Sequence, residues 1–425
     1  MNVLEFINEY LSSPVLVSVM ASCGVFLSVN LRFFKPSNLF SAIKELRSGK
    51  SGDGISPLSS LSVALAGTLG VGNIAGVAVA ISVGGAGAVF WMAVSAFIGA
   101  VLKYCEAYLS VKIRPAGKKT GGAPYYIGRI CGGGAGRAYA VICIAASFVS
   151  GSLIQMNAAA SSFSFTYPVP GAAVGAVFAA ACAFTVIGGI KRVSAFTSAA
   201  MPVFCAIFAA LSVIAISMRL NEVPAVVSRI FTEAFGFSQA LGGFSGALVS
   251  AAVRAGMTKG VFSHEAGCGT SSFSHAASSA SSPALQGLVG VAEVLADTVF
   301  FGGLTALVIL LSHQEDGGRC HDGAAVAIRA YSYFFGGSAG YILTFLTVFF
   351  AYATVICWAY YGCLCVRYLT ASEKAVTVYI ILYCASLIPG SVVSSAAVWA
   401  LSDICCAATA LINCACLIKG RKLIK

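Results

Sequence analysis

The sequence predicts an all-α, polytopic membrane protein, and three observations carry that prediction. The 425-residue chain is 58% hydrophobic and only 10% charged, against about 25% charged in soluble domains. Its apolar residues gather into segments of roughly 20, long enough to cross a bilayer as helices. Its 26 Lys and Arg are unevenly distributed. With the N-terminus outside, Arg219, Arg229, Arg319 and Arg329 are the four on the outer side, and the other 22 lie in or beside cytoplasmic segments. That asymmetry is the positive-inside pattern, and it explains the net charge of +11 without a nucleic-acid surface. The sixteen cysteines are scattered through apolar runs, where they read as small hydrophobes and not as a disulfide framework.

Eleven spans follow in order, at about 15–34, 57–81, 88–111, 139–163, 171–188, 194–218, 240–261, 285–311, 340–369, 376–387 and 392–418. The first run has no cleavable-signal pattern and is retained as a helix. Lys35, Lys44, Arg47 and Lys50 follow it in a basic loop. A second basic loop holds Lys112, Arg114, Lys118, Lys119, Arg129 and Arg137, and Lys191-Arg192 make a tight basic turn. Pro168 and Pro170 open the span 171–188. The mixed-charge connection 219–238 reads as an interfacial helix, and 262–284 as a small-residue loop. Eleven crossings put the C-terminus in the cytoplasm.

The stretch 65–91 organises the rest. It reads LAGTLGVGNIAGVAVAISVGGAGAVFW, with glycines at 67, 70, 72 and 76 beside Thr68 and Asn73. Glycines weaken a helix, and lipid cannot satisfy the backbone groups a break releases. Residues 67–76 are therefore read as the unwound middle of a discontinuous helix. A second candidate break opens the span 240–261, ALGGFSGALVSAAV, at Gly242, Gly243 and Gly246. With the first span set aside, ten remain, and a broken helix leads each group of five. Odd groups are inverted relative to each other, and broken helices at matching places in inverted repeats point to a secondary transporter's binding site. Close packing by small residues is the competing explanation. The organisation is then an accessory helix and basic loop (1–56), a first repeat (57–218), an outer connection (219–239), an inverted second repeat (240–418) and a tail (419–425).

The residues that bear these features also resemble a known family, the alanine/glycine:cation (sodium:alanine) symporters. The match lies in GVGNIAGVAVAISVGGAGAVFWM at 70–92, GGAPYYIG at 121–128, VIGGIKRV at 186–193, GVFSHEAGCGTSSFSHAA at 260–277, QGLVGVAEVLADT at 286–298 and FFAYATVICWAYYG at 349–362. The resemblance implies a leucine-transporter-type five-plus-five fold and uptake of small neutral amino acids, alanine or glycine, coupled to sodium or sometimes protons. It implies no resident cofactor, nucleotide or enzymatic activity. Three places depart from the family pattern. Val71 stands where Thr or Ser is usual, Gly84-Gly85-Ala86-Gly87 replaces GGPG, and Ala353-Thr354 replaces a Ser-Thr pair whose hydroxyls are expected to ligate sodium. The coupling ion, sodium or proton, stays open, and the departures at Val71 and Ala353 keep a non-transporting membrane amino-acid sensor with the same fold as the alternative.

The candidate site residues follow. An amino acid needs acceptors for its ammonium and donors for its carboxylate, and broken helices supply both at their ends. Thr68, Gly70, Val71, Gly72, Asn73 and Ile74 offer these groups from the first break, and Gly242, Gly243, Phe244 and Ser245 face them from the second. Asn73 reads either as a ligand or as a helix–helix hydrogen bond. Gln155, near mid-depth, reads as a carboxylate donor or an interhelical bond, and Trp358 as a pocket wall or packing. Thr68, Asn73, Thr354 and Asp297 are the ion or coupling candidates. Asp297 sits near the middle of its span with Glu293 one turn below, and no Lys or Arg lies in that helix to pair with either. A carboxylate so placed binds a cation, accepts neighbours' hydrogen bonds, or stays protonated.

Three motifs are set aside. Gly70-Val71-Gly72 with Gly76 lacks the preceding strand of a dinucleotide fingerprint, and Gly132–Arg137 lacks the end of a phosphate loop. His264-Glu265 begins like a zinc-protease motif, but residue 268 is Cys. The loop that follows, 262–275, is read as a gate-side structure.

Overall fold

A computed structural model describes residues 13–31, 54–115, 120–167, 169–236, 245–280, 282–313 and 323–424, and every regular element among them is helical. Helix α1 (Ser13–Leu31) is followed by α2 (Pro57–Thr68) and, after a tight turn at Val71–Asn73, by α3 (Ala75–Gly84). The chain continues through α4 (Gly87–Lys112), α5 (Ala123–Cys131), α6 (Gly133–Ala146), α7 (Ile154–Thr166), α8 (Gly171–Val186) and α9 (Gly189–Ser217). After α10 (Val223–Phe235) come α11 (Ser245–His264), α12 (Ser272–Ala276), α13 (Pro283–Val294), α14 (Gly303–Ser312) and α15 (Gly323–Phe335). The last three are α16 (Gly337–Leu369), α17 (Glu373–Gly390) and α18 (Ser395–Gly420). Two joints are π-helical. Ser147–Leu153 carries α6 into α7, and Leu295–Gly302 carries α13 into α14.

Local chemistry sets the helix starts. Ser56 caps α2, its hydroxyl accepting from Ser59 N at 3.0 Å with Pro57 at the first helical position. Ser282 and Pro283 repeat that arrangement at α13, where Leu285 N donates to the serine at 3.2 Å. Serine satisfies an orphan N–H, and proline has none to lose.

Eight helices among the described residues are long and apolar enough to cross a membrane, and the bent pair 57–68 with 71–84 makes a ninth. The sequence predicts eleven spans. The other two expected spans are α8, an apolar helix of 16 residues, and α11, which carries Arg254 and Lys259. Lys259 is neutralised inside the bundle. Its ammonium donates to Asp403 Oδ2 at 2.8 Å and stands over the Trp399 ring at 4.5 Å.

Helix α4 lies at the centre, packed against both α11 and α13, and α11 also packs along α3. Within the mixed-charge connection, Val223–Phe235 form the helix α10. Helix α10 lies against α4, with Glu233 accepting from Ala86 N at 2.7 Å and Trp91 Nε1 donating to Ala234 O at 3.2 Å. Gly87 permits that approach, since a Cβ there would stand 2.6 Å from the backbone of residues 233 and 234.

Candidate functional site

The first discontinuity is where the glycines place it. The chain leaves helical geometry after Thr68, and α2 and the following segment meet at 62°. Every residue from Gly67 to Ile81 is buried, so the released backbone groups need protein partners. Thr354 Oγ1 donates to Ala66 O at 2.9 Å, Val71 N donates to Gln155 Oε1 at 3.2 Å, and Thr305 Oγ1 donates to Asn73 O at 2.7 Å. Gln155 is held in turn by its Nε2 bond to Ser150 O at 3.1 Å, beside the π-helical joint. Gly70 lets this happen. A Cβ there would lie 2.4 Å from Thr354 Oγ1 and 2.8 Å from Gln155 Oε1. The sequence candidates Gly70, Val71, Gln155 and Thr354 therefore meet at one point, while the Thr68 hydroxyl turns back to Ala64 O of its own helix.

A second discontinuity among the described residues lies past the C-terminus of α11, whereas the sequence reading puts one at its opening. Gly242, Gly243 and Phe244 fall outside the described residues. Ser245 opens α11, its side chain also outside the described part, and Gly246 lies within that continuous helix. The helix ends at His264, and the chain turns through 265–271 before the single turn of α12. Glu265 has φ 50°, and Gly267 and Gly269 have φ 85° and 81°, the left-handed region glycine favours. The segment read as a small-residue loop is thus the second break, and residues 255–280 are all buried. His264 serves that turn, accepting from Ala266 N on Nδ1 at 3.0 Å and facing Ser95 Oγ with Nε2 at 3.3 Å.

Side chains from three helices hold the second break. Glu106 Oε1 accepts from Gly269 N at 2.9 Å and from Asn413 Nδ2 at 2.7 Å. Tyr139 donates to Cys268 O at 2.6 Å. Lys103 donates to Ser271 Oγ at 2.5 Å and to Glu293 Oε1 at 3.2 Å. Glu293 therefore has a cation, supplied by α4 and not by its own helix, as well as His275 Nε2 at 2.8 Å. His275 Nδ1 faces Gln286 Nε2 at 2.6 Å, and Gln286 reaches Ser60 of α2 at 2.8 Å. A fully buried polar chain thus links the second break and the first turn of α2 to α13. Glu106 Oε2 and Gln286 Oε1 have no hydrogen-bond partner among the described residues, so the network is only partly satisfied.

Asp297 lies apart from Lys103, and its hydrogen-bond partners are neutral. Asn73 Nδ2 donates to its Oδ1 at 2.6 Å, and Ser263 Oγ and Thr298 Oγ1 approach its Oδ2 at 2.7 and 2.8 Å. Ser263 also lies 2.7 Å from Asn73 Oδ1. All four residues are buried. The structure thus joins Asn73 to Asp297, and adds Ser263 and Thr298, which sequence reasoning does not single out. Trp358, one turn beyond Thr354 on α16, is buried, and its Nε1 donates to Glu265 Oε1 at 3.1 Å.

Two broken helices carrying buried polar side chains, inside a bundle apolar enough to span a membrane, form the frame against which known proteins compare. The profile of the Sodium:alanine symporter family matches residues 1–424. The chain belongs to the sodium:alanine symporter family. It is a multi-pass membrane protein of a family of cation-coupled amino-acid symporters. It is 32% identical to the sodium/alanine symporter AgcS of Methanococcus maripaludis, over 97% of this chain and 93% of that protein. The putative sodium/proton-dependent alanine carrier protein YrbD of Bacillus subtilis is also 32% identical, over 93% of this chain and 85% of its own. The probable sodium/glutamine symporter GlnT of the same organism is 28% identical over 97% and 86%.

Proposed function

We propose that this family member imports small neutral amino acids, alanine or glycine, across the bacterial inner membrane by sodium-coupled alternating access. The observation that carries the reading is the joining of the first break to a buried carboxylate. Asp297, Asn73, Ser263 and Thr298 converge from the 71–73 turn, α11 and the π-helical joint of α13. Their oxygens suit a hard cation, and the hydroxyls can turn their lone pairs toward it. A cation bound there draws Asn73 to Asp297 and sets the turn that begins at Gly70. The substrate would lie beside Gly70, against Val71, Gly72, Gln155, Thr354 and Trp358, with sodium bound separately at Asp297. That separation lets one ligand change the affinity for the other.

The architecture we propose is eleven spans, with a five-plus-five inverted repeat. In support, each proposed half has its discontinuous helix first, a long α4 or α13–α14 second, and then a short amphipathic helix, α5 or α15. The Lys and Arg asymmetry supports an N-terminus outside and a C-terminus inside.

A proton is the second reading, favoured by the neutral hydrogen-bond partners of Asp297. Purified protein in liposomes, given labelled alanine or glycine with sodium and pH gradients imposed separately, distinguishes the two. Accumulation driven by the sodium gradient alone is expected. Accumulation driven only by the pH gradient replaces sodium with a proton, and no accumulation under either gradient overturns symport.

A further inference from the structure

Glu265 has a position no motif explains. It is the residue at which α11 stops, its backbone is left-handed at φ 50° where glycine would be relaxed, and its side chain is buried. Both carboxylate oxygens are engaged. Thr270 Oγ1 donates to Oε2 at 2.5 Å from within the same turn, and Trp358 Nε1 donates to Oε1 at 3.1 Å from α16. The carboxylate therefore clamps the Trp358 indole to the second break. The other side of that residue is fixed as well, since a Cβ at Gly151 would lie 2.3 Å from Trp358 Cβ. Gly151 belongs to the π-helical joint that leads to Gln155, and Gln155 closes on the first break. Trp358 thus stands between the two discontinuities, tied to the second through one hydrogen bond to one acceptor.

Resting on the proposed alanine or glycine site, we infer that Glu265 is a positioning residue that sets the size limit of the pocket by holding the Trp358 indole. It acts through Trp358, and its left-handed turn aims the carboxylate at α16. The substrate class favoured by the clamped ring is an amino acid with a side chain no larger than a methyl. A ring released from Oε1 can rotate and admit longer side chains. The indole N–H has its acceptor in a side chain that Thr270 holds from the other oxygen, and that bond ties the ring to one rotamer.

The test is competition by unlabelled alanine and leucine against labelled alanine uptake in liposomes, for wild type, Glu265→Met, Glu265→Gln, Trp358→Phe and the double variant Glu265→Met with Trp358→Phe. The methionine keeps the volume and removes the acceptor. It is expected to lower the alanine-over-leucine preference about tenfold or more, the discrimination available to a pocket that rejects extra methylenes. Glutamine keeps an oxygen for the indole and is expected to restore most of that preference. Trp358→Phe breaks the same bond from the other side and is expected to lose the same preference, with Glu265→Met adding nothing to it. An unaltered preference in Glu265→Met, failure of glutamine to restore it, or losses that multiply in the double variant overturn the inference. If Glu265→Met does not fold, Trp358→Phe alone decides, because full retention of preference there also overturns it. Wild-type protein that takes up neither alanine nor glycine would instead overturn the site reading beneath it.

Discussion

Asn73 shows what a single residue contributes. Its amide donates to Asp297 Oδ1, its carbonyl oxygen meets the Ser263 hydroxyl, and its backbone carbonyl accepts from Thr305. One side chain thereby ties the first break to two other helices. Hydrogen bonds to charged groups are worth about 1.5–3 kcal/mol, and more is lost when a buried partner is left unsatisfied. Asn73→Ala is therefore expected to reduce alanine uptake at least tenfold while the protein still elutes as one folded species in detergent. Uptake at the wild-type rate would remove Asn73 from the site. The sequence made Asn73 visible because a polar residue among glycines in an apolar run is conspicuous. It could not supply the partners. Ser263 is one serine among many in 260–280, and its facing of Asp297 is a property of three dimensions. Glu293 teaches the same lesson. Its helix has no cation, and Lys103 reaches it from α4 across 190 residues of sequence.

The elements differ in how plainly the sequence announces them. At the first break the glycines interrupt an otherwise apolar run, so the bend was legible. At the second, Gly267 and Gly269, which hold the left-handed turns, are hidden in a run of small polar residues that reads as a loop. The π-helical joints at Ser147–Leu153 and Leu295–Gly302 have no local signature, because one extra residue in a turn does not disturb the apolar pattern enough to register. Yet one joint carries Asp297 and the other leads to Gln155. The first break is also tight. A methyl at Gly70 would strike Thr354 Oγ1 and Gln155 Oε1 together, and overpacking of this kind typically costs about 1–3 kcal/mol. Gly70→Ala is expected to lower the thermal midpoint of purified protein in detergent and to abolish alanine binding. A midpoint and an affinity both unchanged would mean the two side chains can yield, and that the approach at Gly70 is loose.

At the scale of the whole molecule, membership of the sodium:alanine symporter family and the apolar helices make a membrane transporter, and the proposed coupling is a link between two places in it. Asp297 is bonded to Asn73 at the end of the 71–73 turn, Gln155 to Val71 at its start, and Thr354 to Ala66 of α2. A cation at Asp297 and Asn73 can favour the arrangement that accepts an amino acid at Gly70, Gln155 and Thr354, and the linkage must run equally in both directions. Because the coupling is a difference in affinity, it is measurable without a membrane or a gradient. The direct measurement is the affinity of purified, detergent-solubilised protein for labelled alanine, in sodium and in choline at one pH, for wild type and for Asp297→Asn. Coupling free energies are typically about 1–3 kcal/mol. Wild-type affinity is expected to rise at least fivefold in sodium, and Asp297→Asn is expected to bind alanine with the same weak affinity in both salts. Wild-type affinity that is equal in sodium and choline would contradict the proposed coupling.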